Sequence, residues 1–118
     1  MTILNLTQHM ASEVQIEAGV VEPRDKAAVK AALTFTSLPS EDLLVERASA
    51  LAEIASQSGC ESAMIGGAPF FMAPLESALH EVGIRPLYAF SQRKSVDQPQ
   101  EDGSVRKVAV FVHLGFVG

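Results

Sequence analysis

The sequence predicts an α/β fold in which a mostly parallel central sheet is followed by a C-terminal antiparallel hairpin. In the first two thirds of the chain, short apolar runs alternate with longer stretches of helical periodicity, as in strand–helix–strand units. In the last third, two apolar strands flank a polar turn that contains an Asp–Gly pair, as in a hairpin. The chain has 118 residues, 47% of them hydrophobic, so we expect one ordinary core and a single domain spanning residues 1–118.

The first strand is predicted over Thr2–Leu6, a short run of β-branched and apolar residues. It is followed by three polar residues, Thr7, Gln8 and His9. In an open α/β sheet the loops at the carboxyl ends of the strands form the ligand crevice, so these side chains are candidates for ligand contact. The alternative is that Thr7 and His9 simply end the strand and cap the next segment.

Two helices and a short strand are predicted next. Ser12 and Gln15 fit a capping box that opens a short helix. Pro23 occupies a position typical of the first residue of a helix, which small apolar residues extend toward residue 33. Residues 33–36 include a β-branched and aromatic stretch that predicts a short edge strand.

The most regular helix begins after Ser40, whose side chain is predicted to cap it, and ends at Gly59. Leu44 and Leu51 represent an apolar face that recurs at helical spacing and that we expect to pack on the sheet. The one cysteine, Cys60, follows this helix. We interpret it as a small packing residue, because a lone cysteine forms no internal disulfide.

The segment Ser62–Pro69 is the centre of the predicted fold, an apolar run that ends in two glycines immediately before a helix. It predicts a buried parallel strand, a tight turn, and a helix N-terminus. The backbone N–H groups of Gly66, Gly67 and Ala68 can there point at an anion, supported by the partial positive charge of the helix start. A plain packing turn is the alternative interpretation.

The helix after this turn is expected to begin near Ala73, because an interior proline at Pro74 removes a hydrogen bond and clashes with the preceding turn. Gly83 is its predicted end. Residues 70–72, Phe-Phe-Met, would then form an apolar lip beside the turn. Core filling is the favoured interpretation of this lip over stacking on a base.

The third strand is predicted over Ile84–Phe90 and leads into Ser91, Gln92, Arg93 and Lys94. We expect these polar residues at the carboxyl edge of the sheet, beside the glycine turn. Arg93 is the preferred phosphate ligand, because its planar guanidinium can donate two parallel hydrogen bonds. The alternative is an arginine that is solvated or paired with an acidic neighbour.

The second hairpin strand is predicted over Val105–His113, after a turn that contains Gly103. Because this strand runs antiparallel to the others, we expect His113 at the far edge of the sheet, away from the ligand crevice. No Cys and His residues have zinc spacing, and no acidic pair is placed for magnesium. Neither a metal nor any other cofactor is therefore predicted.

Charge is distributed unevenly along the chain. Residues 1–84 hold eleven acidic and four basic residues, whereas residues 85–118 hold three acidic and five basic ones. The acidic body argues against binding to duplex nucleic acid, which depends on neutralising many phosphates, but not against a small anionic ligand. Because the sequence shows neither a membrane helix nor the basic and apolar regions of a signal peptide, we expect a cytoplasmic protein that does not bind membranes.

Three segments together resemble the small stand-alone CRISPR-associated proteins that have a CARF-type, Rossmann-like fold. They are residues 2–9, Arg85–Arg93 and Val108–Phe116, although Leu114 and Gly115 stand where that family carries an arginine. The resemblance implies a small Rossmann-like three-layer sandwich that recognises a cyclic oligoadenylate second messenger in antiviral defence. Some members of that family also cleave the ring as ring nucleases, and the resemblance extends to this activity.

The candidate site combines this resemblance with the reasoning from strand ends. By position, the resemblance points to Thr7, Gln8, His9, Gly66, Gly67, Ser91 and Arg93. The candidate catalytic residues are Thr7, His9 and Arg93. The candidate ligand-binding residues are Gln8, Gly66, Gly67, Ala68, Ser91, Gln92 and Lys94.

The implied reaction is possible without a metal, because a ribose 2′-hydroxyl can attack its own phosphate when it is held in line and the developing charge is stabilised. Arg93 would stabilise that charge, and His9 or Thr7 would orient the hydroxyl. A ring of four adenylates has two-fold symmetry, so a homodimer that holds the ring between two sheet edges is expected. The alternatives are a non-enzymatic interaction module and a binder of mononucleotides or sugar phosphates.

Overall fold

A computed structural model describes all 118 residues. The chain forms five strands and four helices. In chain order they are β1 (Ile3–Leu6), α1 (Glu13–Glu17), β2 (Val20–Val21), α2 (Lys26–Leu33), α3 (Glu41–Ser58), β3 (Ser62–Ile65), α4 (Pro69–Glu81), β4 (Arg85–Pro99) and β5 (Val105–Val117).

All five strands belong to one sheet with the order β2-β1-β3-β4-β5. The first four strands in this order are parallel, and β5 runs antiparallel to β4. The predicted α/β class, the mostly parallel sheet and the C-terminal antiparallel hairpin are therefore confirmed. The two-residue strand β2 was not predicted, because Val20 and Val21 are too short a run to stand out from the loop after Gly19.

The two faces of the sheet are covered unequally. One face packs against α2, α3 and α4 and forms a core of 15 buried residues, among which Phe71, Leu75 and Leu51 are completely buried. The other face carries a smaller cluster of Ile3, Val20, Met64 and Leu87, against which Ala11 and Phe116 pack. Strand alternation produces this division, since successive side chains of β1 and β3 point to opposite faces. No helix of the protein has the length and apolar composition that a membrane crossing requires.

The predicted caps of α1 and α3 are confirmed. The Ser12 hydroxyl accepts from the Gln15 backbone N–H, and the Gln15 side chain accepts from the Ser12 N–H, which completes the capping box. The Ser40 hydroxyl accepts from the N–H of Leu43 at 3.2 Å. At the other end of α3, Gly59 has φ of 78°, a left-handed conformation that glycine adopts without strain.

The prediction for the start of α2 is wrong, and so is the edge strand over residues 33–36. Helix α2 begins at Lys26 rather than at Pro23, because the side chain of Asp25 accepts from the N–H of Ala28 and caps the helix there. Residues 34–36 are not extended in a sheet. The Phe35 ring instead lies beneath the Arg47 guanidinium, 4.8 Å from it, and this stacking together with its packing on the core holds the segment against α3.

Helix α4 begins at Pro69, four residues before the predicted start at Ala73. Pro69 occupies the first turn, where its missing N–H is not needed and its fixed φ suits the helix. Pro74 is tolerated within the helix, since packing of Phe71 and Leu75 into the core holds both turns around it. Residues 70–72 are therefore helical. Phe71 is completely buried, Met72 is partly buried against the core, and Phe70 is 52% exposed, so core filling applies to Phe71 and Met72 but not to Phe70.

The hairpin is longer than predicted. Strand β4 continues without interruption through residues 91–99, and β5 extends beyond His113 to Val117. A register shift lies between Phe90 and Ser91, where the two strands leave the body of the sheet. Beyond it, β4 and β5 form a projecting two-stranded ribbon.

Candidate functional site

Two parallel strands end side by side at one edge of the sheet. Leu6 of β1 pairs with Ile65 of β3, and Ile65 pairs with Tyr88 of β4. The loops that follow β1 and β3 therefore leave the sheet at the same level. Strand β4 differs, because it does not end at this level but continues into the ribbon.

A cavity of about 370 Å³ lies at this edge. It brings together five of the predicted site residues, two of them glycines. Its lining consists of Thr7, Gln8, His9, Met10, Gln15, Met64, Ile65, Gly66, Gly67, Tyr88 and Ala89. Cavities of about 400 and 500 Å³ lie elsewhere on the body and include none of the predicted site residues.

The loop after β1 is held in place by Asn5, a residue that the sequence analysis did not single out. Asn5 is completely buried, and its Nδ2 donates to the backbone oxygen of His9 at 2.8 Å and to the Glu22 carboxylate at 3.0 and 3.1 Å. Its Oδ1 accepts from the Thr7 N–H at 3.0 Å and from the Thr7 hydroxyl at 2.6 Å. The signal was present in the sequence as the one polar residue within the apolar strand Ile3–Leu6.

Glu22 and Lys26 complete this network from the side of β2 and α2. Lys26 Nζ donates to the backbone oxygens of Thr7 at 2.8 Å and His9 at 3.0 Å, and to Glu22 Oε1 at 3.1 Å. Glu22 also accepts from the Ala11 N–H at 2.9 Å. Partial burial acts to raise the pKa of Glu22, but the hydrogen bonds from Ala11, Asn5 and Lys26 outweigh it and lower the pKa below its usual value. The backbone around the cavity is thus fixed by charge-assisted hydrogen bonds.

The hydroxyl of Thr7 is oriented by the same network. Its proton is donated to Asn5 Oδ1, and its oxygen accepts from the His9 N–H at 3.4 Å. Thr7 can therefore offer a ligand an acceptor rather than a donor. Gln8 is exposed, and its amide reaches the Thr34 hydroxyl at 3.1 Å, whereas His9 is exposed beside the cavity.

The glycine turn after β3 has the backbone that the sequence predicts. Gly67 has φ of 145°, where other residues are strained, and a Cβ there would meet nothing closer than 3.8 Å. A Cβ at Gly66 would lie 3.7 Å from Thr7 Cγ2. Ala68 is the residue before α4 and packs against the larger core, so it lies outside the cavity lining. Pro69 contributes no N–H, which leaves fewer donors at this helix start than the sequence motif suggested.

The four polar residues from Ser91 to Lys94 lie on the ribbon and outside the cavity lining. By strand alternation, Ser91 and Arg93 project on the same sheet face as Ala89, which lines the cavity, while Gln92 and Lys94 project on the opposite face. Arg93 stands four residues beyond Ala89, about 13 Å along the strand. It is exposed and forms no ion pair within the chain.

The expectation that His113 lies at the end of the sheet away from the cavity is wrong. It pairs with Ser91 in register, because β5 continues past it for four more residues. Its Nδ1 lies 3.5 Å from the Gln15 side-chain nitrogen, and its ring centroid lies 4.8 Å from that of Phe116. Gln15 lines the cavity, so His113 stands next to the site on the same sheet face as Arg93. The periodicity of a sequence does not fix the length of a strand, so the extension of β5 beyond His113 was not predicted.

The fold and the cavity together define an α/β protein that has, where its parallel strands end, a cavity lined by polar side chains, apolar side chains and two glycines. No group of three His, Cys, Asp or Glu side chains in the structure is placed to hold a metal ion. The model of the family described as "Uncharacterized protein MJ1673 family" matches residues 1–117, and the chain belongs to this family. No curated protein and no solved structure matches the chain.

Proposed function

We propose that the protein binds a cyclic oligoadenylate, in a CARF-like, Rossmann-like three-layer arrangement related to antiviral defence. The observation that carries the proposal is the placement of Thr7, His9 and Gly67 around one cavity, with Arg93 on the same sheet face about 13 Å away along β4. AMP or a sugar phosphate in the cavity would not reach Arg93, whereas an oligonucleotide, whose phosphates are spread along its backbone, would contact both. The separation therefore favours an extended oligonucleotide over AMP or a sugar phosphate.

The proposed chemistry is attack of a ribose 2′-hydroxyl on its adjacent phosphate, which forms a 2′,3′-cyclic phosphate, breaks the bond from phosphorus to the 5′-oxygen of the next nucleotide, and releases that oxygen as a hydroxyl. Thr7 presents a hydroxyl oxygen whose own proton is donated to Asn5, so it can accept a hydrogen bond from the 2′-hydroxyl and orient it. The backbone N–H groups of the Gly66–Gly67 turn would stabilise the negative charge that develops on that phosphate, and Arg93, about 13 Å away, would bind another phosphate of the same ring. His9 is the exposed ring beside the cavity that can take up or supply a proton. We propose ring cleavage as the second step of this function, after binding.

Binding is tested by thermal unfolding with cyclic tetra-adenylate, cyclic hexa-adenylate, AMP and ATP, each at about 100 times its expected dissociation constant. A specific ligand at that excess adds about 2.7 kcal/mol to the free energy of unfolding. A shift with a cyclic ligand supports the proposal. A shift with AMP or ATP alone supports a mononucleotide binder, and no shift with any of the four supports a non-enzymatic interaction module and overturns the proposal.

Arg93→Ala tests the extended site. Loss of a hydrogen bond to a charged group costs about 1.5–3 kcal/mol, so the dissociation constant should rise about 10- to 100-fold. Lys107→Ala is the matched control, since it removes the same charge from the same face of the ribbon, opposite Asp97 and farther from the cavity. Equal effects of the two substitutions on binding would remove Arg93 from the site.

A further inference from the structure

The ribbon, residues 91–99 of β4 and 105–113 of β5 with the turn between them, projects from the body of the protein. The longest dimension of the molecule is 56 Å and its radius of gyration is 16.8 Å. A compact chain of this length would have a radius of gyration of roughly 13–14 Å. An isolated two-stranded ribbon is marginally stable in water, so a ribbon of this length needs a surface to pack against.

One face of the ribbon carries four valines beside Gln92, Lys94, Gln98 and Arg106. Tyr88 packs against the larger core, and alternation along β4 then directs Val96 to the helix side of the sheet. Three of the residues that pair with this face of β4 are valines, which form a row along β5. The valine face, as we call it, consists of Val96, Val108, Val110 and Val112.

The valine face is not packed into the core of its own chain. None of its four members belongs to either core cluster; Val96 is 41% exposed, and Val108, Val110 and Val112 are partly buried. The opposite face of the ribbon carries Arg93, Asp97 and Lys107, which are all exposed, together with one exposed ring, Phe111. The valine face is therefore the more apolar of the two faces and the one suited to pack against another surface.

A groove between α3 and α4 has complementary chemistry. It has a volume of about 400 Å³. Its floor is apolar, with Val45 60% exposed, and two glutamates stand at its rim. The residues that matter here are Leu44, Val45, Ala48 and Pro74 on the floor and Glu41 and Glu81 at the rim.

The charges on the valine face are opposite to those at the groove. Lys94 pairs with Val110, and Arg106 pairs with Gln98, so both cations project from the same face as the valines. The chain contains one salt bridge, between Lys26 and Glu22, so neither cation has a partner within its own chain. The valine face is thus apolar and basic, and the groove is apolar and acidic.

We propose that the valine face of the ribbon docks in the α3–α4 groove of a second copy, and that the second copy's ribbon docks reciprocally in the first. The shape permits this. The ribbon lies at the level of the sheet, while the helices stand about 10 Å above it, so each molecule has a step on its helix side. A two-fold axis turns the second copy over, so that the helices of the second copy lie above the ribbon of the first. The ribbon of the second copy then lies above the helices of the first.

The area also favours a reciprocal contact between two copies over a single contact with another partner. The ribbon face measures roughly 27 Å by 10 Å, or about 300 Å². Two such contacts, counted on both partners, remove about 1,200 Å² from solvent, the lower limit of a stable interface. One contact alone removes half of that. The two cavities then open on the outer faces of the dimer, so each copy would hold its own ligand rather than share a ring between two sheet edges.

The oligomeric state of Val110→Glu and Ala109→Glu tests this interface, by sedimentation velocity at micromolar concentration. The two residues are adjacent on β5 and project from opposite faces, Val110 beside Lys94 and Ala109 beside Ser95. We expect the wild type to be a dimer of 12.6 kDa chains, the Ala109 variant to remain a dimer, and the Val110 variant to be a monomer. A monomeric wild type, or equal effects of the two variants, would overturn the proposal.

Charge exchange tests the contact without depending on the fold of the Val110 variant. One chain carries Lys94→Glu with Arg106→Glu, and the other carries Glu41→Lys with Glu81→Lys. Each variant alone places like charges at both contacts and should be monomeric. Their mixture restores opposite charges at both contacts and should form a heterodimer. Failure of the mixture to associate, while each chain remains folded by circular dichroism, would exclude the groove as the docking site.

Discussion

The substitution Asn5→Asp tests whether one buried amide holds the loop that forms the cavity. Asn5 donates to the Glu22 carboxylate at 3.0 and 3.1 Å and to the backbone oxygen of His9 at 2.8 Å. Aspartate has the same shape but has no donor when ionised. It would also place a second carboxylate against Glu22. Its acceptor oxygen would still serve Thr7, so the change is confined to the donor side of the network.

The expected loss in the free energy of unfolding at pH 7 is about 3–4 kcal/mol. A hydrogen bond to a charged acceptor contributes about 1.5–3 kcal/mol, and a neutral one about 1 kcal/mol. Repulsion between the two carboxylates adds to the loss, and sharing of one proton between them limits it. For a chain of this size, the melting temperature should fall by roughly 10–15 °C.

The assay is urea unfolding followed by far-ultraviolet circular dichroism, for the wild type, Asn5→Asp, Glu22→Gln and the double variant. In the double variant the side-chain amide introduced by Glu22→Gln can donate to the new carboxylate. The free energy of unfolding of the double variant should therefore be about 2 kcal/mol higher than the sum of the two single losses predicts. Because the paired carboxyls bind a proton more tightly when folded, the deficit of Asn5→Asp should also shrink as pH falls from 7 to 5. A fully stable Asn5→Asp, or single losses that simply add, would refute this account of the loop.

Three further predictions concern the turn, the network and the aromatic residues of α4. Gly67→Ala should cost about 1–2 kcal/mol in urea unfolding through backbone strain at φ of 145°, since a Cβ there meets no atom closer than 3.8 Å; an unchanged midpoint would contradict this. Because the pKa of Glu22 is lowered on folding, its stabilisation is present above the unfolded-state pKa and should be lost as pH falls through the folded value. Glu22→Gln should remove that part of the acid dependence of the melting temperature. Phe71→Ala should lower the free energy of unfolding by about 3–5 kcal/mol. The Phe70 side chain is half exposed, so Phe70→Ala should lower it clearly less in the same thermal assay.

Local signals in the sequence predicted much of the framework correctly. Ser12, Ser40 and Gly59 mark helix ends by chemistry that acts within a few residues, and the structure has those caps. The apolar run before Gly66 likewise predicted a buried strand whose end forms a turn. Each of these features depends on near neighbours in the chain, so it is readable without knowledge of the fold.

Predictions that depended on competition between signals were less reliable. Pro23 and Asp25 both offered a helix start, and the side chain of Asp25 reached a backbone N–H. Pro74 argued for a late start of α4, but burial of Phe71 and Leu75 on either side of it outweighed the missing hydrogen bond. Core packing decided between alternatives that are locally similar in energy.

The sequence by itself determined that Thr7, Gln8 and His9 follow one parallel strand and that Gly66 and Gly67 follow another, and parallel pairing then brings the two loops to the same cavity. Tertiary structure alone decided that Asn5, Glu22 and Lys26 would hold this cavity together, that Arg93 would stand apart from it, and that His113 would stand beside it. The physical reason is the distance along the chain over which each interaction acts. Caps, turns and strand periodicity act over a few residues, whereas the length of β4 and β5 and the partners of a buried amide depend on contacts between segments far apart in the chain.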